Sequence, residues 1–479
     1  MINLQNIFQK NKEKALITKN ELAKLLKTNP NALDAFEMAY NKSLINNENV
    51  SDDFFETNAK QAGTLFEYAD ELTENMKTIC LDIVDELLGE TTIFTYKNEE
   101  SKTFPPMISN KEPVSLQQLN SFPLHLRPQL TGTMMQRDVN EKASLAVLTY
   151  YRKFLNEKNP IKRKSFYDRF RQGLDILDLD PILYEIIGTN KNSIGYWLPP
   201  LAKAVSKQNF FRIPDTTIIK VPLTLLQLTR LPYHAMTPAT LFIVNEYCKQ
   251  AFELDSKKEY FVKTGTYSSK FDFRNAHVHG EKEVRELGQY LLYIHFQALQ
   301  MASPLCKPSI YGVSTTNEWC VREFLPDLDI PKNPCIYKGL PLRTEYRVFV
   351  DFDTGKIIGI SPYWEPETMK KRFSHENDAS SPHQIHDYVI YKAHEETLMK
   401  RYHKNKHMVM EHVETLIQNI NLTEQWSIDI MENGGTFHII DMALAANSAL
   451  VECVPKHLLK PIKEDWIPKL NLPSLKELQ

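Results

Sequence analysis

Residues 342–364 read LRTEYRVFVDFDTGKIIGISPYW, and this stretch decides the fold of the protein. Its first half alternates between two faces as a β-strand does, and one face carries Tyr346, Val348 and Val350. A turn of sequence Asp-Thr-Gly follows, and the run KIIGI then predicts the returning strand of a hairpin. Arg347 stands in the first strand among β-branched and aromatic neighbours. A charged group in such a place needs either an anionic partner or a route to water, and the pattern leaves both open.

Length and composition set the broad class of protein. At 479 residues the chain is long enough for two or three domains. It carries 57 Lys and Arg against 60 Asp and Glu, a formal net charge of -3, so neither a dominant nucleic-acid surface nor a membrane surface is expected. The six cysteines are scattered without a CxxC pair, the N-terminus has no apolar signal-peptide core, and no apolar run is long enough to span a membrane. These features predict a reduced, cytoplasmic protein.

The first third of the chain has the pattern of helices. Across residues 53–88 apolar side chains recur at a spacing of three to four, which predicts one face of a helix or helix pair. Residues 103–132 are rich in proline and indicate a boundary. We therefore expect four parts: a helical accessory domain (1–130), a helical connector (131–200), a larger domain (201–460) and a C-terminal tail (461–479).

A candidate phosphate-binding segment starts with the strand at residues 260–263. The strand ends in Lys263, and the loop that follows, TGTYSSK, consists mainly of small and hydroxyl residues and ends at Lys270. A lysine side chain and free backbone N–H groups are what phosphate oxygens need. The loop does not have the spacing of a P-loop. An ordinary surface turn beside a strand-end lysine has the same pattern, so both interpretations stay open at this point.

Two acidic residues stand in the last predicted hairpin. Its strands, residues 426–431 and 436–443, are joined by the turn ENGG and carry Asp429 and Asp441 between apolar neighbours. Carboxylates on adjacent strands repel each other unless a cation or a proton lies between them. A magnesium ion would satisfy both groups, so the pair predicts a Mg²⁺ site.

In chain order, these segments resemble the ATP-grasp superfamily. The order is the strand-lysine-loop segment, an apolar strand ending in Glu323-Phe324-Leu325, the hairpin of residues 342–364 and the final hairpin with its two acids. The EYRVFV strand is most similar to the carboxylate-amine ligase and translation-initiation-factor assembly branches, and the resemblance covers roughly residues 195–455. It implies an α+β fold, in which an ATP-grasp-like two-sheet unit that binds nucleotide follows a helical N-terminal domain.

The resemblance also implies roles for individual residues. Three basic residues would bind the phosphates of ATP, namely Lys263, Lys270 and Arg347. The backbone of the hinge that contacts the adenine edge would be that of Glu323, Phe324 and Leu325. The two carboxylates of Asp429 and Asp441 would hold Mg²⁺. Such a set is physically reasonable because phosphoryl transfer depends on charge neutralisation and positioning.

The last strand departs from the pattern of the family. A Glu-x-Asn pair is usual there, but this sequence reads Asp441-Met442-Ala443. Asn447, four residues further on, is a candidate substitute for the missing metal ligand, and a turn cap is the other interpretation. Arg343 is expected to replace an arginine that some ligases carry at the end of the return strand. Loss of catalysis with retention of nucleotide binding therefore stays open.

The function implied by the resemblance is an ATP- and Mg-dependent ligase, which joins a carboxylate to an amine through an acyl phosphate. Its catalytic arginines would be Arg347 and Arg343, its cofactors ATP and Mg²⁺, and its substrates an unknown carboxylate and amine, with peptides or proteins among the candidates. One alternative is an ATP-binding assembly or interaction protein without ligase activity. Another is an RNA-directed ATP-dependent enzyme, because residues 158–171 carry a basic cluster, although the aromatic residues there fall at core spacing.

Overall fold

The computed structural model describes residues 72–107, 113–129, 187–230, 236–301, 315–374 and 382–462, together with short pieces between 150 and 184. Predictions for residues 1–71, for most of the connector and for nearly all of the C-terminal tail lie outside the described residues. None of the helices in the described ranges combines the length and apolar character that crossing a membrane requires.

The described residues form an α+β structure with several sheets. Its strands, in chain order, are β1 (Thr92–Lys97), β2 (Glu100–Phe104), β3 (Phe211–Arg212), β4 (Thr216–Lys220), β5 (Tyr260–Thr264), β6 (His277–Val278), β7 (Glu318–Glu323), β8 (Cys335–Ile336), β9 (Leu340–Pro341), β10 (Glu345–Asp351), β11 (Lys356–Pro362), β12 (Gln425–Asn433) and β13 (Thr436–Leu444). Its α-helices are α1 (Glu74–Gly89), α2 (Leu116–Asn120), α3 (Ile194–Val205), α4 (Leu223–Gln227), α5 (Pro238–Ala251), α6 (Gly280–Arg285), α7 (Leu287–Met301), α8 (Pro366–Arg372) and α9 (Ile385–Ile417).

The first sheet has the strand order β2-β1-β4-β7-β5-β6, and each neighbouring pair is antiparallel. Helix α7 packs on β5, α5 packs on α7, and α1 packs on α5. Val262 of β5 and Val321 of β7 are buried in the core with these helices. Because successive side chains of a strand point to opposite faces, Lys263 and Arg322 point to the other side of the sheet.

Residues 92–104 correct the expectation of a helical N-terminal region. β1 pairs with both β2 and β4, so this hairpin belongs to the first sheet. Its turn, Asn98 and Glu99, has φ values of 52° and 66°, as a tight two-residue hairpin turn requires. The sequence signal is the run TIFTYK, which is short and directly follows the stronger helical pattern of α1. That helical pattern is confirmed where it is described, at Glu74–Gly89.

The second sheet has the strand order β11-β10-β12-β13-β3, in which only β13 and β3 run parallel. The predicted hairpin within residues 342–364 is confirmed, because β10 and β11 pair across the Asp-Thr-Gly turn. Tyr346, Val348 and Val350 are fully buried in one core with side chains of α3 and α9. Arg347 therefore lies on the opposite face of this sheet, which faces the first sheet.

Most of the other elements also agree with the sequence pattern. The final hairpin is formed by β12 and β13, and the two glycines of its turn, Gly434 and Gly435, have φ values of 59° and 82°. The long helix α9 spans 33 residues. Helices α6 and α7 follow one another with a break at Glu286.

Candidate functional site

A cleft lies between the two sheets and is bordered by the segment that follows β7. It encloses about 910 Å³ of space between protein atoms, its open mouth included. Its charged lining residues are Lys263, Lys270, Arg322, Glu323, Arg343, Glu345, Asp429 and Asp441. Its apolar lining residues include Phe261, Phe273, Phe324, Leu325, Leu340, Trp364, Met431 and Ile440. Opposite charges and a large apolar surface thus meet in a single concavity, which is typical of a ligand site.

Lys263 connects the two sheets across the cleft. It stands on β5 of the first sheet, and its Nζ lies 3.1 Å from Oδ1 of Asp441 on β13 of the second sheet. The lysine side chain is 4% exposed, whereas that of Asp441 is 43% exposed. The second oxygen of Asp441 makes no hydrogen bond to any described residue. One partner of this ion pair is therefore open to a ligand in the cleft.

Arg347 makes a different kind of ion pair within the second sheet. Asp429 stands directly opposite it on β12, and Arg347 donates through Nε to Oδ1 at 2.7 Å and through Nη2 to Oδ2 at 2.6 Å. Its Nη1 donates to the carbonyl oxygen of Ala449 at 3.0 Å. Burial tends to lower the pKa of Arg347, but the charge of Asp429 and these hydrogen bonds outweigh it and raise the pKa. The anionic-partner interpretation of this arginine is confirmed.

The two acids predicted to lie near one another do so. Asp429 and Asp441 are directly opposite in the β12–β13 ladder, and a bulge follows at Ile430. In the structure each carboxylate is neutralised by a basic side chain, Arg347 or Lys263. No cluster of three or more His, Cys, Asp or Glu side chains suitable for a metal ion occurs among the described residues. A Mg²⁺ ion here would depend on ligand oxygens besides those of the protein.

The predicted hinge residues line the cleft, but most of their backbone groups are already bonded. The N–H of Glu323 donates to the carbonyl of Asp215 at 2.9 Å, and the N–H of Phe324 donates to the carbonyl of Glu259 at 3.0 Å. The carbonyl of Leu325 accepts from Nη2 of Arg343 at 2.5 Å. In the described structure the N–H of Leu325 makes no hydrogen bond. Of the backbone N–H groups in the three predicted hinge residues, it is the one left for a ligand.

Arg343, predicted as a catalytic residue, supports the hinge. It is buried, donates to the Leu325 carbonyl and lies 3.2 Å through Nη1 from the sulfur of Met431. Its Nε is 3.9 Å from Oδ1 of Asp327 and makes no hydrogen bond. Burial lowers the pKa of Arg343. These contacts give it a position beside the apolar lining, where it can hold the segment after β7 in place.

Aromatic side chains lie beside the hinge residue Phe324. The imidazole of His277 stacks on the Phe324 ring with centroids 3.9 Å apart, and Phe273 lies at 6.2 Å. His277 is itself held by Glu259, with its Nε2 2.9 Å from the carboxylate. The result is a rigid aromatic wall that suits a flat apolar ligand group.

Lys270 and Arg347 share one aromatic ring. The Lys270 Nζ lies 4.5 Å from the centroid of Tyr363 and contacts its hydroxyl, and the Arg347 guanidinium carbon lies 4.7 Å from the same centroid. Burial tends to lower the pKa of Lys270, but Tyr363 and the charge of Glu345 outweigh it and raise the pKa. Lys270 therefore carries its charge into the cleft while it makes no ion pair with a described carboxylate.

Glu345 is a site residue that the sequence reasoning did not select. It is 9% exposed, lines the cleft, and its carboxylate accepts no hydrogen bond from the described residues. Burial raises its pKa to about 7, an effect that Asp429 reinforces and Lys270 opposes. A signal for it existed, because Glu345 precedes Arg347 by two residues and so shares its strand face.

Arg322 is a second residue that was not selected. It is buried, its Nε donates to the hydroxyl of Thr216 at 3.0 Å, and its Nη1 contacts the carbonyl of Ile440 on the second sheet. Its Nη2 is buried without a hydrogen-bond partner, and burial lowers its pKa. The guanidinium thus has an unused donor in the cleft. Arg322 stands two residues after Cys320 on a strand, so the two side chains share one face of β7. That alternation was the signal available in the sequence.

The loop predicted to cover phosphates is fixed at its first residues. Gly265 donates through its N–H to the carbonyl of Glu318 at 2.9 Å. The Glu318 carboxylate accepts from the Ser193 hydroxyl at 2.5 Å and from the N–H of Gly195 at 2.9 Å. A Cβ at Gly265 would lie 2.0 Å from the Ser193 oxygen, so only glycine fits there. The loop therefore leaves β5 in a defined direction towards Lys270.

A second cavity adjoins the cleft and contains four of the predicted residues. It encloses about 1910 Å³, its open mouth included, and shares Ser268, Lys270, Tyr363 and Asp441 with the cleft. Arg347 and Asn447 line this cavity. The amide oxygen of Asn447 accepts a hydrogen bond from Nδ2 of Asn192 at 3.0 Å. The structure therefore gathers Lys263, Lys270, Arg343, Asp429, Asp441 and the hinge in one cleft, and it places Arg347 and Asn447 outside the lining of that cleft.

Comparisons with known proteins give few matches. No family model matches the sequence, and no curated protein matches it either. Among solved structures, C-terminally truncated Cdc123 from Schizosaccharomyces pombe has a TM-score of 0.34 at 12% identity, over 57% of this chain and 94% of that one. Cdc123 from the same organism has a TM-score of 0.32 at 12% identity, over 58% of this chain and 96% of that one. Similarities this low do not show a shared fold.

Proposed function

We propose that the protein binds ATP with Mg²⁺ in the cleft between the two sheets, in the manner of ATP-grasp proteins. The observation that carries the proposal is the contact of Lys263 with Asp441, which puts a buried ammonium and an accessible carboxylate from opposite sheets into one cleft. A Mg-nucleotide presents both anionic phosphates and a cation. Once Lys263 and Asp441 separate, it can bind between them, with the phosphates at the lysine and the metal ion at the carboxylate.

The apolar lining supports a place for the adenine base. Phe261, Phe273 and Phe324 offer flat surfaces, and Met431 and Ile440 offer aliphatic ones. A base needs at least one directional contact besides stacking, and the N–H of Leu325 is available for it. Burying an adenine against such surfaces is favourable because aromatic rings combine apolar area with a defined stacking geometry.

The basic side chains support a place for the phosphates. Lys263, Lys270 and Arg322 line the same cleft, and the last two make no ion pair with a described carboxylate. Asp441 fits a role as a Mg²⁺ ligand because only one of its oxygens is bonded, whereas both oxygens of Asp429 are bonded to Arg347. Mg²⁺ usually takes one or two carboxylates and completes its shell with phosphate oxygens and water.

For the reaction, we propose ligation of a carboxylate to an amine. A carboxylate oxygen of the substrate attacks the γ-phosphorus of ATP, the bond to ADP breaks, and an acyl phosphate forms. The amine then attacks the acyl carbon, phosphate leaves, and the nitrogen loses a proton. Lys263, Lys270 and Arg322 would neutralise the phosphate charge during the first step, which is the main demand of phosphoryl transfer.

One observation favours a second candidate, an ATP-dependent assembly or interaction protein without ligase activity. Arg347, predicted as a catalytic arginine, already donates hydrogen bonds to Asp429 and to the carbonyl of Ala449. In addition, Ala443 stands where an asparagine ligand is usual in the family. A site with these features can retain nucleotide while lacking the group that stabilises the transferred phosphoryl.

Calorimetric titration with Mg-ATP tests the binding proposal. We expect Lys263→Ala to weaken binding about tenfold or more, because a charge-assisted hydrogen bond contributes about 1.5 to 3 kcal/mol. Lys191→Ala is the matched control, since Lys191 is also a largely buried lysine (side chain 11% exposed) in an ion pair, 2.6 Å from Glu424, but does not line the cleft. No binding to the folded wild type, or equal weakening by both variants, would refute the proposal. ADP release that an added amine acceptor stimulates would then favour the ligase over the second candidate.

A further inference from the structure

The second cavity has walls that differ from those of the cleft. Residues 266–272 after β5 and residues between 441 and 449 form much of its lining, and α8 and the start of α9 add Arg372, His386 and Asp387. Its volume of about 1910 Å³ exceeds the 910 Å³ of the cleft, with the open mouth included in both values. Hydroxyl and amide side chains make up a large part of the surface, namely those of Ser268, Ser269, Gln297, Gln384 and Ser448. Such groups can match the alternating donors and acceptors of a peptide backbone.

The carboxylates in this cavity already have partners. Asp272 accepts from Lys338 at 2.7 Å, and Asp441 accepts from Lys263 at 3.1 Å. Asp387 is buried and accepts from the backbone N–H of Tyr337 at 3.2 Å. Asp272 and Asp387 therefore need no cation from a ligand, whereas Asp441 keeps one unbonded oxygen towards the cleft.

Two cations in the cavity have no such partner. Arg372 lies at the end of α8, and its Nη1 contacts the sulfur of Met369 at 3.8 Å. It makes no ion pair with any residue that the structure describes. Lys270 contacts the Tyr363 hydroxyl but likewise makes no ion pair within the described ranges. A half-buried guanidinium with unused donors is a suitable partner for a carboxylate, which it can bind through two parallel hydrogen bonds.

We infer that the second cavity binds an acidic peptide segment, with Arg372 receiving one of its carboxylates. This inference deepens the proposed function and rests on it, because Lys270 borders both cavities and would hold a second carboxylate of the peptide beside the phosphates. The size and the amide-rich lining favour a peptide over a small acid. The three acids among the charged lining residues disfavour a nucleic acid, whose phosphates require a mainly basic surface.

Fluorescence anisotropy with labelled hexaglutamate tests the inference on the full chain. We expect Arg372→Gln to weaken hexaglutamate binding about tenfold, the loss of one charge-assisted contact, and Arg372→Lys to restore part of it. Lys371→Gln is the matched control, because Lys371 is its exposed neighbour on the same helix and does not line the cavity. We expect that control to change binding less than twofold, and neutral hexaglutamine to bind at least tenfold more weakly than hexaglutamate.

Three results would overturn the inference: no hexaglutamate binding, equal weakening by Arg372→Gln and Lys371→Gln, or tighter binding of hexauridylate than of hexaglutamate. Titration of the same variants with Mg-ATP separates this inference from the proposed function. Binding of Mg-ATP without binding of the peptide refutes the inference alone. Binding of the peptide through Arg372 without binding of Mg-ATP supports the peptide site and refutes the nucleotide proposal.

Discussion

The two ion pairs of the cleft use the same chemistry in different surroundings. Arg347 and Asp429 stand on neighbouring strands of one sheet, share two hydrogen bonds, and have side chains that are 11% and 7% exposed. Lys263 and Asp441 stand on different sheets and share one hydrogen bond, and Asp441 is 43% exposed. The first pair is closed in the sense that both oxygens of Asp429 are bonded to Arg347, whereas the second pair can exchange partners with a ligand.

The comparison distinguishes an ion pair that stabilises the fold from an ion pair that is available for binding a ligand. A buried bidentate pair holds two strands in register and cannot be broken without leaving an unpaired charge in a region of low dielectric constant. A pair at the edge of a cavity contributes little to stability, because solvent screens it. We therefore expect loss of the first pair to affect folding and loss of the second to affect binding.

The largest expected effect concerns the closed pair. Asp429→Ala leaves Arg347 buried without its carboxylate, and we expect a loss of about 3 to 5 kcal/mol in the free energy of unfolding. Urea titration followed by circular dichroism measures it. The double variant Arg347→Met with Asp429→Leu should lose less than Asp429→Ala, because apolar residues can replace such a pair. A double variant as unstable as the single one would contradict this view of the pair.

An intermediate effect concerns Glu345, whose charge interacts with Asp429 and Arg347 of the closed pair. Its pKa is about 7 in the folded protein against an ordinary value of 4.5, so the folded state binds more protons between these values. Stability should therefore fall as the pH rises from about 4.5 to about 7, by up to about 3 kcal/mol. Above pH 7, Glu345→Gln should be the more stable protein in urea titrations, and near pH 4.5 the two should agree. Glu323→Gln, an exposed glutamate of the same cleft, serves as the control, and an equal gain from it would argue against burial as the cause.

The smallest expected effect concerns the open pair. Asp441→Asn should lower the free energy of unfolding by only about 1 kcal/mol, because the amide oxygen can still accept a hydrogen bond from the buried Lys263 and water reaches this end of the pair. Thermal unfolding of the variant beside Asp429→Ala measures the contrast between the two pairs directly. If Asp441→Asn destabilised the protein as much as Asp429→Ala does, the distinction between a closed and an open pair would fail.

Local periodicity made much of the fold predictable. The alternation at Tyr346, Val348 and Val350 gives the strand, its buried face and the side on which Arg347 lies. The β1–β2 hairpin was not predictable in the same way, because its stability comes from pairing with β4, more than a hundred residues further on. Local sequence shows that a segment can be a strand, but it does not show which strand is its neighbour.

For the candidate site, the sequence predicted which residues take part better than it predicted which of them contact each other. Lys263 stands near the end of its predicted strand, and Asp429 and Asp441 stand within the two strands of the predicted last hairpin. The structure brings all three into one cleft. The exclusive pairing of Arg347 with Asp429 follows from strand order and register, across 82 residues of sequence. Glu345 was missed because its unusual pKa is a product of burial, which no single-sequence pattern reports.

The pairing of β1 with β4 matters for any experiment that uses a shorter fragment of the chain. A fragment that starts after residue 130 would lack both strands that cover this side of the first sheet, and the N–H and C=O groups of β4 would form an open edge. Open edges of flat apolar strands pair readily with other chains. Such a fragment should self-associate, and the proposed nucleotide site would then be studied in an aggregate and not in the protein.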